Sequence, residues 1–153
     1  MILAAARRVP SIDFKITGKL EKARSKGYLA DVPANVTFTG FVSEDEFNHL
    51  LHSSAVVAGL TTYEGIQLSV ASEAIGAGKA LILSATQILR RMFGDCAVFF
   101  ENSEDGFAQA VRLAIHDRVI MEDRSLASLG RRVNDWQTKA AQINRQLSAS
   151  GKY

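Results

Sequence analysis

Five short apolar runs recur along the chain, separated by stretches with helical character. Each run is of strand length and nearly continuous in apolar residues, which is typical of parallel strands buried on both faces. The predicted strands are Ile12–Thr17, Val36–Thr39, Ala55–Ala58, Ala80–Leu83 and Ala97–Phe100.

The intervening segments carry helix signals. Ser43 followed by Glu46 makes a capping box, and Phe47, Leu50 and Leu51 then form an apolar stripe. Small apolar residues from Leu68 to Ala77 predict a buried helix that stops at Gly78. Three further helices are predicted, over Thr86–Phe93, from Ser103 with Phe107, Val111 and Ile115 facing inward, and from Val119 to about Leu147 with breaks near Ser125 and Gly130. The final residues, 148–153, have the composition of a frayed end.

Strands that alternate with helices indicate one α/β domain over residues 1–153, with a helical tail from about 119. We expect a Rossmann-like parallel sheet with helices on both faces. Ligands bind such sheets beyond the carboxyl ends of the strands. The residues of interest therefore follow the strands, at 18–19, 40–42, 59–67 and 84–86.

Composition and charge narrow the classes of function. The chain has 47% hydrophobic residues and a formal net charge of +2, so nucleic acid is not an expected partner. Its single cysteine, Cys96, rules out an intrachain disulfide and fits a reducing compartment. No apolar run is long enough to span a membrane, and we expect a cytoplasmic protein. His49 and His52 share a helix face without a third ligand nearby, so no metal site is predicted.

The segment from Gly59 to Ser84 carries the strongest indication of chemistry. A polar loop after a strand leads into the predicted buried helix, and its free N–H groups would suit a diphosphate. Glu64, in the loop, would accept hydrogen bonds from sugar hydroxyls, and Glu73, on the helix, from a ribose. The alternative is that Glu64 is an ordinary loop residue and Glu73 lies near a surface edge of its helix.

The order of motifs in this region resembles that of the GT-B glycosyltransferases, specifically the retaining group 1 (family 4) enzymes. The matching motifs run from about Ile12 to Ile115 and are Thr39-Gly40-Phe41-Val42, Phe47–Leu51, Thr61–Gly65, Glu73-Ala74 with Gly78-Lys79, Gly94–Ala97 and Phe107–Ala110. The resemblance implies the donor-binding, C-terminal half of a GT-B fold. Its ligand would be a nucleotide diphosphate sugar, with no metal or other cofactor.

The resemblance also implies roles for individual residues. Glu64 would be the catalytic residue that contacts the donor sugar, and Glu73 would bind the ribose. Backbone N–H groups of Gly65, Ile66 and Gln67 would line the diphosphate, and Gly40, Phe41 and Val42 would border the base. Lys19 follows a strand, where it would contact phosphate or base, or remain a solvated lysine.

Three features depart from the family pattern. Eight residues, Gly65 to Ser72, separate the two glutamates where the family has seven, and Ile66-Gln67 stands where Phe-Gly is usual. The family's first strand, with the Arg and Lys that follow it, has no counterpart, because the chain begins in the next helix. We expect either that the flanking strands close up into a five-stranded sheet or that another copy of the chain supplies pairing.

Three functions remain open at this point. The first is the donor half of a retaining glycosyltransferase that transfers a sugar to a hydroxyl acceptor, inactive by itself without its N-terminal acceptor domain, and peripheral to a membrane at full length. The second is a sugar-nucleotide epimerase of the same architecture, disfavoured because no histidine follows a strand. The third is a non-catalytic nucleotide-binding or interaction module with a degenerate site. Exposed strands or interdomain surface would permit self-association.

Overall fold

A computed structural model describes residues 1–149 of the chain. Five strands and seven helices alternate in this part of the chain. In chain order they are α1 (Ile2–Arg7), β1 (Phe14–Thr17), α2 (Leu20–Ser25), β2 (Val36–Gly40), α3 (Glu44–Ser53), β3 (Val56–Gly59), α4 (Ser69–Gly76), β4 (Ala80–Ser84), α5 (Gln87–Phe93), β5 (Ala97–Phe100), α6 (Glu104–His116) and α7 (Arg118–Ala149).

The strands pair in parallel, as predicted, but in two separate sheets. One sheet has the order β1-β2 and the other β3-β4-β5. Every residue of the central strand β4 is buried, as expected for a strand covered on both faces. The prediction of burial on both faces is wrong for β1, where half-buried and exposed residues alternate because Lys15 and Thr17 face outward. It is only partly right for β2 and β3, which expose Thr37 and Ala58.

Helices cover both faces of the three-stranded sheet, which makes the fold Rossmann-like. Leu81 and Leu83 of β4 pack into a core with α3, α4 and α5 on one face, where Phe93 is fully buried. Ile82 points the other way, into a core formed with α1 and α6 around Phe107. This alternation follows from the two-residue period of a strand.

A slot separates the two sheets. β1 and β3 do not pair, and a cavity of about 420 Å³ lies between them, lined by residues 12–17 and 53–56 and by Phe107, Val111 and Ile115 of α6. The expectation that these strands close up into a five-stranded sheet is therefore wrong. The two strands lie on opposite sides of the cavity, which α6 side chains help to line, and no hydrogen bonds join them. Ile115 lines this slot and is 38% exposed, so its predicted inward position holds only in part.

Helix boundaries follow local signals closely. The predicted capping box of Ser43 and Glu46 is present at the start of α3. Thr86 and Ser103 cap α5 and α6. Gly78 ends α4 with a φ of +65°, a conformation that favours glycine.

Helix α7 is continuous, so the breaks predicted near Ser125 and Gly130 are wrong. Ser125 is buried, and its hydroxyl donates to the carbonyl of Lys79 at 2.8 Å, which holds the helix against the domain. Residues 150–153, most of the segment predicted to fray, lie outside the described residues.

Candidate donor-binding site

A polar network holds the loop that carries Glu64. The Ser84 hydroxyl, at the end of β4, accepts a hydrogen bond from the Thr61 N–H at 3.0 Å and donates to Asn102 Oδ1 at 2.8 Å. Asn102 Nδ2 in turn donates to the Thr61 carbonyl at 2.9 Å. The start of the loop is thus tied to the carboxyl ends of β4 and β5. Sequence reasoning missed Asn102, whose only signal was its position just after a predicted strand.

Glu64 turns toward helix α5. Its carboxylate oxygen Oε2 accepts a hydrogen bond from the backbone N–H of Gln87 at 2.8 Å. Glu64 and Gly65 share a surface cleft with Gln87, Arg90 and Arg91. This cleft therefore combines a carboxylate with two cations that the sequence did not single out.

The two arginines of the cleft differ in their surroundings. Arg90 lies 3.6 Å from the carboxylate of Glu101 and stacks over the Phe99 ring, 5.0 Å from its centroid. Arg91 is exposed and makes no ion pair or hydrogen bond with any described residue. Its guanidinium is therefore the cation of the cleft that remains available to an anion.

Backbone donors of the loop after Glu64 are open to solvent. Gly65, Ile66 and Gln67 are exposed, and no described group accepts a hydrogen bond of standard geometry from the N–H of Gly65 or Gln67. Helix α4 follows with apolar Leu68 at its N-cap, so no side chain satisfies its first turn. Unsatisfied N–H groups and the positive end of a helix dipole attract anions.

Glu73 lies on the solvent side of α4. Ala71, Ala74 and Ile75 are buried, whereas Ser72 and Glu73 are exposed. The prediction of a buried helix is therefore only partly right, because only one face of α4 packs on the sheet and Glu73 lies on the other. Helix α4 begins at Ser69, and Glu73 on it lies outside the cleft that Glu64 lines.

The turns after β1 and β2 meet, as their positions predicted. The N–H of Gly18 donates to the Gly40 carbonyl at 3.0 Å, and Gly40 has a φ of +77°. Lys19 Nζ lies 5.9 Å from the centroid of the Phe41 ring, which is 75% exposed. Val42, also predicted to border the base, is half-buried beside them. These turns offer an aromatic face and a cation together.

Lys19 also stands at the rim of a cavity of about 680 Å³ between α1 and α2. Ile16 and Phe38 line it, and Lys22, Lys26 and Tyr28 border it. Sequence reasoning missed the last three, because α2 lies in a stretch for which no element was predicted.

Two structural features are absent from the described part of the chain. Within residues 1–149, no group of three or more His, Cys, Asp or Glu side chains is placed to hold a metal ion. No helix there is both long and apolar enough to cross a lipid bilayer.

Comparison with known proteins identifies a family that the chain matches over most of its length. Residues 1–133 match the family model described as glycosyl transferases group 1. No curated protein sequence matches the chain.

Solved structures share the fold. Sucrose-phosphate synthase from Thermosynechococcus elongatus has a TM-score of 0.74 at 21% identity, covering 97% of this chain and 42% of that one. Anabaena HepE, solved in complex with UDP, has a TM-score of 0.66 at 17% identity, and the match covers 97% of this chain and 43% of the HepE chain. Its UDP-glucose complex gives 0.65, again at 17% identity and with the same coverage. The chain thus spans under half the length of the structures it matches.

Proposed function

Since the chain belongs to the glycosyl transferases group 1 family, we propose that it binds a nucleotide diphosphate sugar as the donor-binding part of a glycosyltransferase. The complete enzyme would transfer the sugar to a hydroxyl acceptor. A second, acceptor-binding part would supply the rest of the cleft. HepE, which has a similar fold, has been solved in complex with UDP and with UDP-glucose, and this similarity of fold supports the same class of ligand here.

The observation that carries the proposal is the open loop before α4. Exposed N–H groups of Gly65 and Gln67 lead into a helix that has no side-chain cap. Serine or threonine hydroxyls cap α3, α5 and α6, whereas α4, like the short helices α1 and α2, has no side-chain cap. A diphosphate at the loop would accept hydrogen bonds from these donors, and Ile66 would contribute its N–H as well.

The remaining assignments follow from position. Glu64 faces the cleft beyond the loop, where a sugar attached to the diphosphate would lie, and its second oxygen is free for sugar hydroxyls. Glu73, exposed on α4, would accept from the ribose. Phe41 would stack on the base, with Gly40 and Val42 at its edge and Lys19 beside the ring.

The chemistry would rest on electrostatic stabilisation. Cleavage of the sugar–phosphate bond leaves negative charge on the diphosphate, and donors already aimed at that charge lower the barrier. Glu64 would hold the sugar in the reactive orientation. We propose that donor binding needs no metal ion and that the protein works in the cytoplasm, where the single buried thiol of Cys96 would stay reduced.

The test is a calorimetric titration with UDP, GDP, ADP, the matching nucleosides and UDP-glucose. We expect one diphosphate to bind at least tenfold more tightly than its nucleoside, with no change on adding EDTA. Glu73→Ala should weaken that binding, whereas Ser72→Ala, a neighbouring exposed residue of α4, should not.

Glu64→Gln separates sugar recognition from nucleotide recognition. It should leave the affinity for the diphosphate unchanged and remove any added affinity for the sugar nucleotide. If no diphosphate binds to a chain that is folded by circular dichroism, the proposal is overturned in favour of a module with a degenerate site.

A further inference from the structure

The cleft that Glu64 lines holds a cation that has no anionic partner among the described residues. Its charged side chains are those of Glu64, Arg90 and Arg91. Arg90 lies 3.6 Å from the carboxylate of Glu101. Arg91 is exposed, and its side chain forms no ion pair or hydrogen bond with any described residue. The guanidinium of Arg91 therefore keeps its full capacity to bind an anion.

One face of α5 brings this cation close to Glu64. Gln87 begins the helix, and Arg91 follows it by four residues, which places both on the same face. The Gln87 N–H donates to Glu64 Oε2 at 2.8 Å, so the carboxylate lies against the first turn of that face. Arg91 is about 6 Å farther along the helix axis than Gln87. A ligand that contacts Glu64 is therefore close enough for the long Arg91 side chain to reach.

Arg91 lies on the side of the site assigned to the sugar. The N–H groups assigned to the diphosphate belong to Gly65, Ile66 and Gln67, which lead into α4. Of these three residues only Gly65 lines the cleft, whereas Glu64 and Arg91 both line it. The cleft measures about 880 Å³, which is within the roughly 300–1,000 Å³ typical of ligand sites. An anion bound by Arg91 would thus belong to the group that Glu64 contacts.

We propose that the donor sugar carries a carboxylate, so that the ligand is a nucleotide diphosphate uronic acid; this assignment rests on the donor-binding function proposed above. The planar guanidinium of Arg91 can donate two parallel hydrogen bonds to a carboxylate, whereas the hydroxymethyl group of a neutral hexose offers no charge to pair with. Glu64 accepts from the ring hydroxyls. The unpaired cation of the cleft offsets the repulsion between Glu64 and the second carboxylate.

The test compares a neutral and an acidic sugar ester of whichever diphosphate the chain binds. The matched probes are UDP-glucose with UDP-glucuronic acid, GDP-mannose with GDP-mannuronic acid, and ADP-glucose with ADP-glucuronic acid. In calorimetric titrations at low salt the uronic acid ester should bind roughly three- to fivefold more tightly, near the upper limit for an exposed ion pair because the pairing is bidentate. In about 1 M salt this preference should disappear because of screening.

Variants of Arg91 assign the preference to this side chain. Arg91→Ala should remove the preference, because only the uronic acid ester loses a direct partner, and any loss that both esters share reflects attraction to the diphosphate. Arg91→Lys should keep only part of it, since an ammonium group lacks the planar fork. Arg24→Ala removes the same charge from an exposed site outside the cleft and should leave the ratio of the two affinities unchanged.

The outcomes separate the acidic sugar from donor binding itself. If the diphosphate binds but the native chain holds both esters equally, or prefers the hexose, the acidic sugar is rejected and the donor-binding function stands. Loss of the same factor for both esters in Arg91→Ala would also reject it and would assign Arg91 to the diphosphate. If no diphosphate binds to the folded chain, the donor-binding function is overturned, and the acidic sugar with it.

Discussion

The Ser84 hydroxyl bridges Thr61 and Asn102, accepting from the N–H of the first and donating to the side chain of the second. Ser84 itself is fully buried at the end of the central strand. The Ser84 side chain thereby connects β4, the strand in which every residue is buried, to the loop that carries Glu64. This contact fixes the loop at Thr61, three residues before the candidate sugar-binding carboxylate, and we expect it to help position Glu64.

Ser84→Ala tests that dependence. The Thr61 N–H and the Asn102 amide would lose a partner, which should lower the free energy of unfolding by about 1–3 kcal/mol and weaken donor binding. Urea denaturation and the nucleotide titration measure the two effects. Ser53→Ala removes an exposed hydroxyl bonded to the Leu50 carbonyl and should change stability by less than about 0.5 kcal/mol; equal losses in the two variants would disprove the role of the network.

Arg91 should contribute to the affinity for a charged donor. Arg91→Ala should weaken binding of a sugar nucleotide by roughly 1.4- to fivefold at low salt, since an exposed ion pair contributes about 0.2–1 kcal/mol. The difference should vanish in about 1 M salt because of screening. The matched control is Arg24→Ala, which removes an exposed arginine of α2 outside the cleft. If it weakened binding equally, the effect of Arg91→Ala would reflect the net charge of the chain and not a contact in the cleft.

Gly78 and Gly76 should respond oppositely to alanine. At Gly78, φ is +65° and an added Cβ would lie 2.9 Å from Leu126 Cδ2, so Gly78→Ala should destabilise the fold by about 1 kcal/mol or more. At Gly76, within α4, nothing lies near an added Cβ, and alanine should stabilise the helix by about 0.5–1 kcal/mol. Thermal unfolding of both variants checks this, and a shift of the same sign in each would contradict it.

The capping box of α3 should make stability depend on acid pH. Hydrogen bonds from the Ser43 backbone and side chain hold the pKa of Glu46 below its ordinary value of 4.5. Because the pKa is lower in the folded state, ionised Glu46 stabilises the fold above pH 4.5, and this contribution is lost as the pH falls through the folded-state pKa. Glu46→Gln should weaken the dependence of the melting temperature on pH between about pH 5 and pH 3. An unchanged pH profile would show that other carboxyl groups dominate this dependence.

The slot between the sheets should appear in amide hydrogen exchange. Strand β4 is paired on both sides, so amides of Leu81–Leu83 should exchange only with global unfolding. Alternate amides of β1 and β3 face the slot and should exchange much faster. Uniform protection across β1 and β3 that grows with protein concentration would instead show that another copy of the chain pairs with these edges. That was the second of the two arrangements expected from the sequence.

Much of the fold could be predicted because its signals are local. Ser43 with Glu46, Gly78 after α4 and the fully apolar run of β4 each specify their structure through contacts within a few residues. The joining of the turns at Gly18-Lys19 and Gly40-Phe41 could also be predicted, since parallel strands present their carboxyl ends at one edge of a sheet.

What the sequence by itself determined, then, is the order of elements, the α/β class and the loop on which the glutamates lie. Only the tertiary structure decided that Glu64 accepts a hydrogen bond from Gln87, that Arg91 lines the same cleft and that Asn102 holds the start of its loop. It also decided that Glu73 faces solvent and that a slot separates β1 from β3. The physical reason is range: capping, periodicity and turn conformation act between near neighbours, whereas these contacts join residues far apart in sequence. Their geometry exists only once helices have packed on both faces of the sheet.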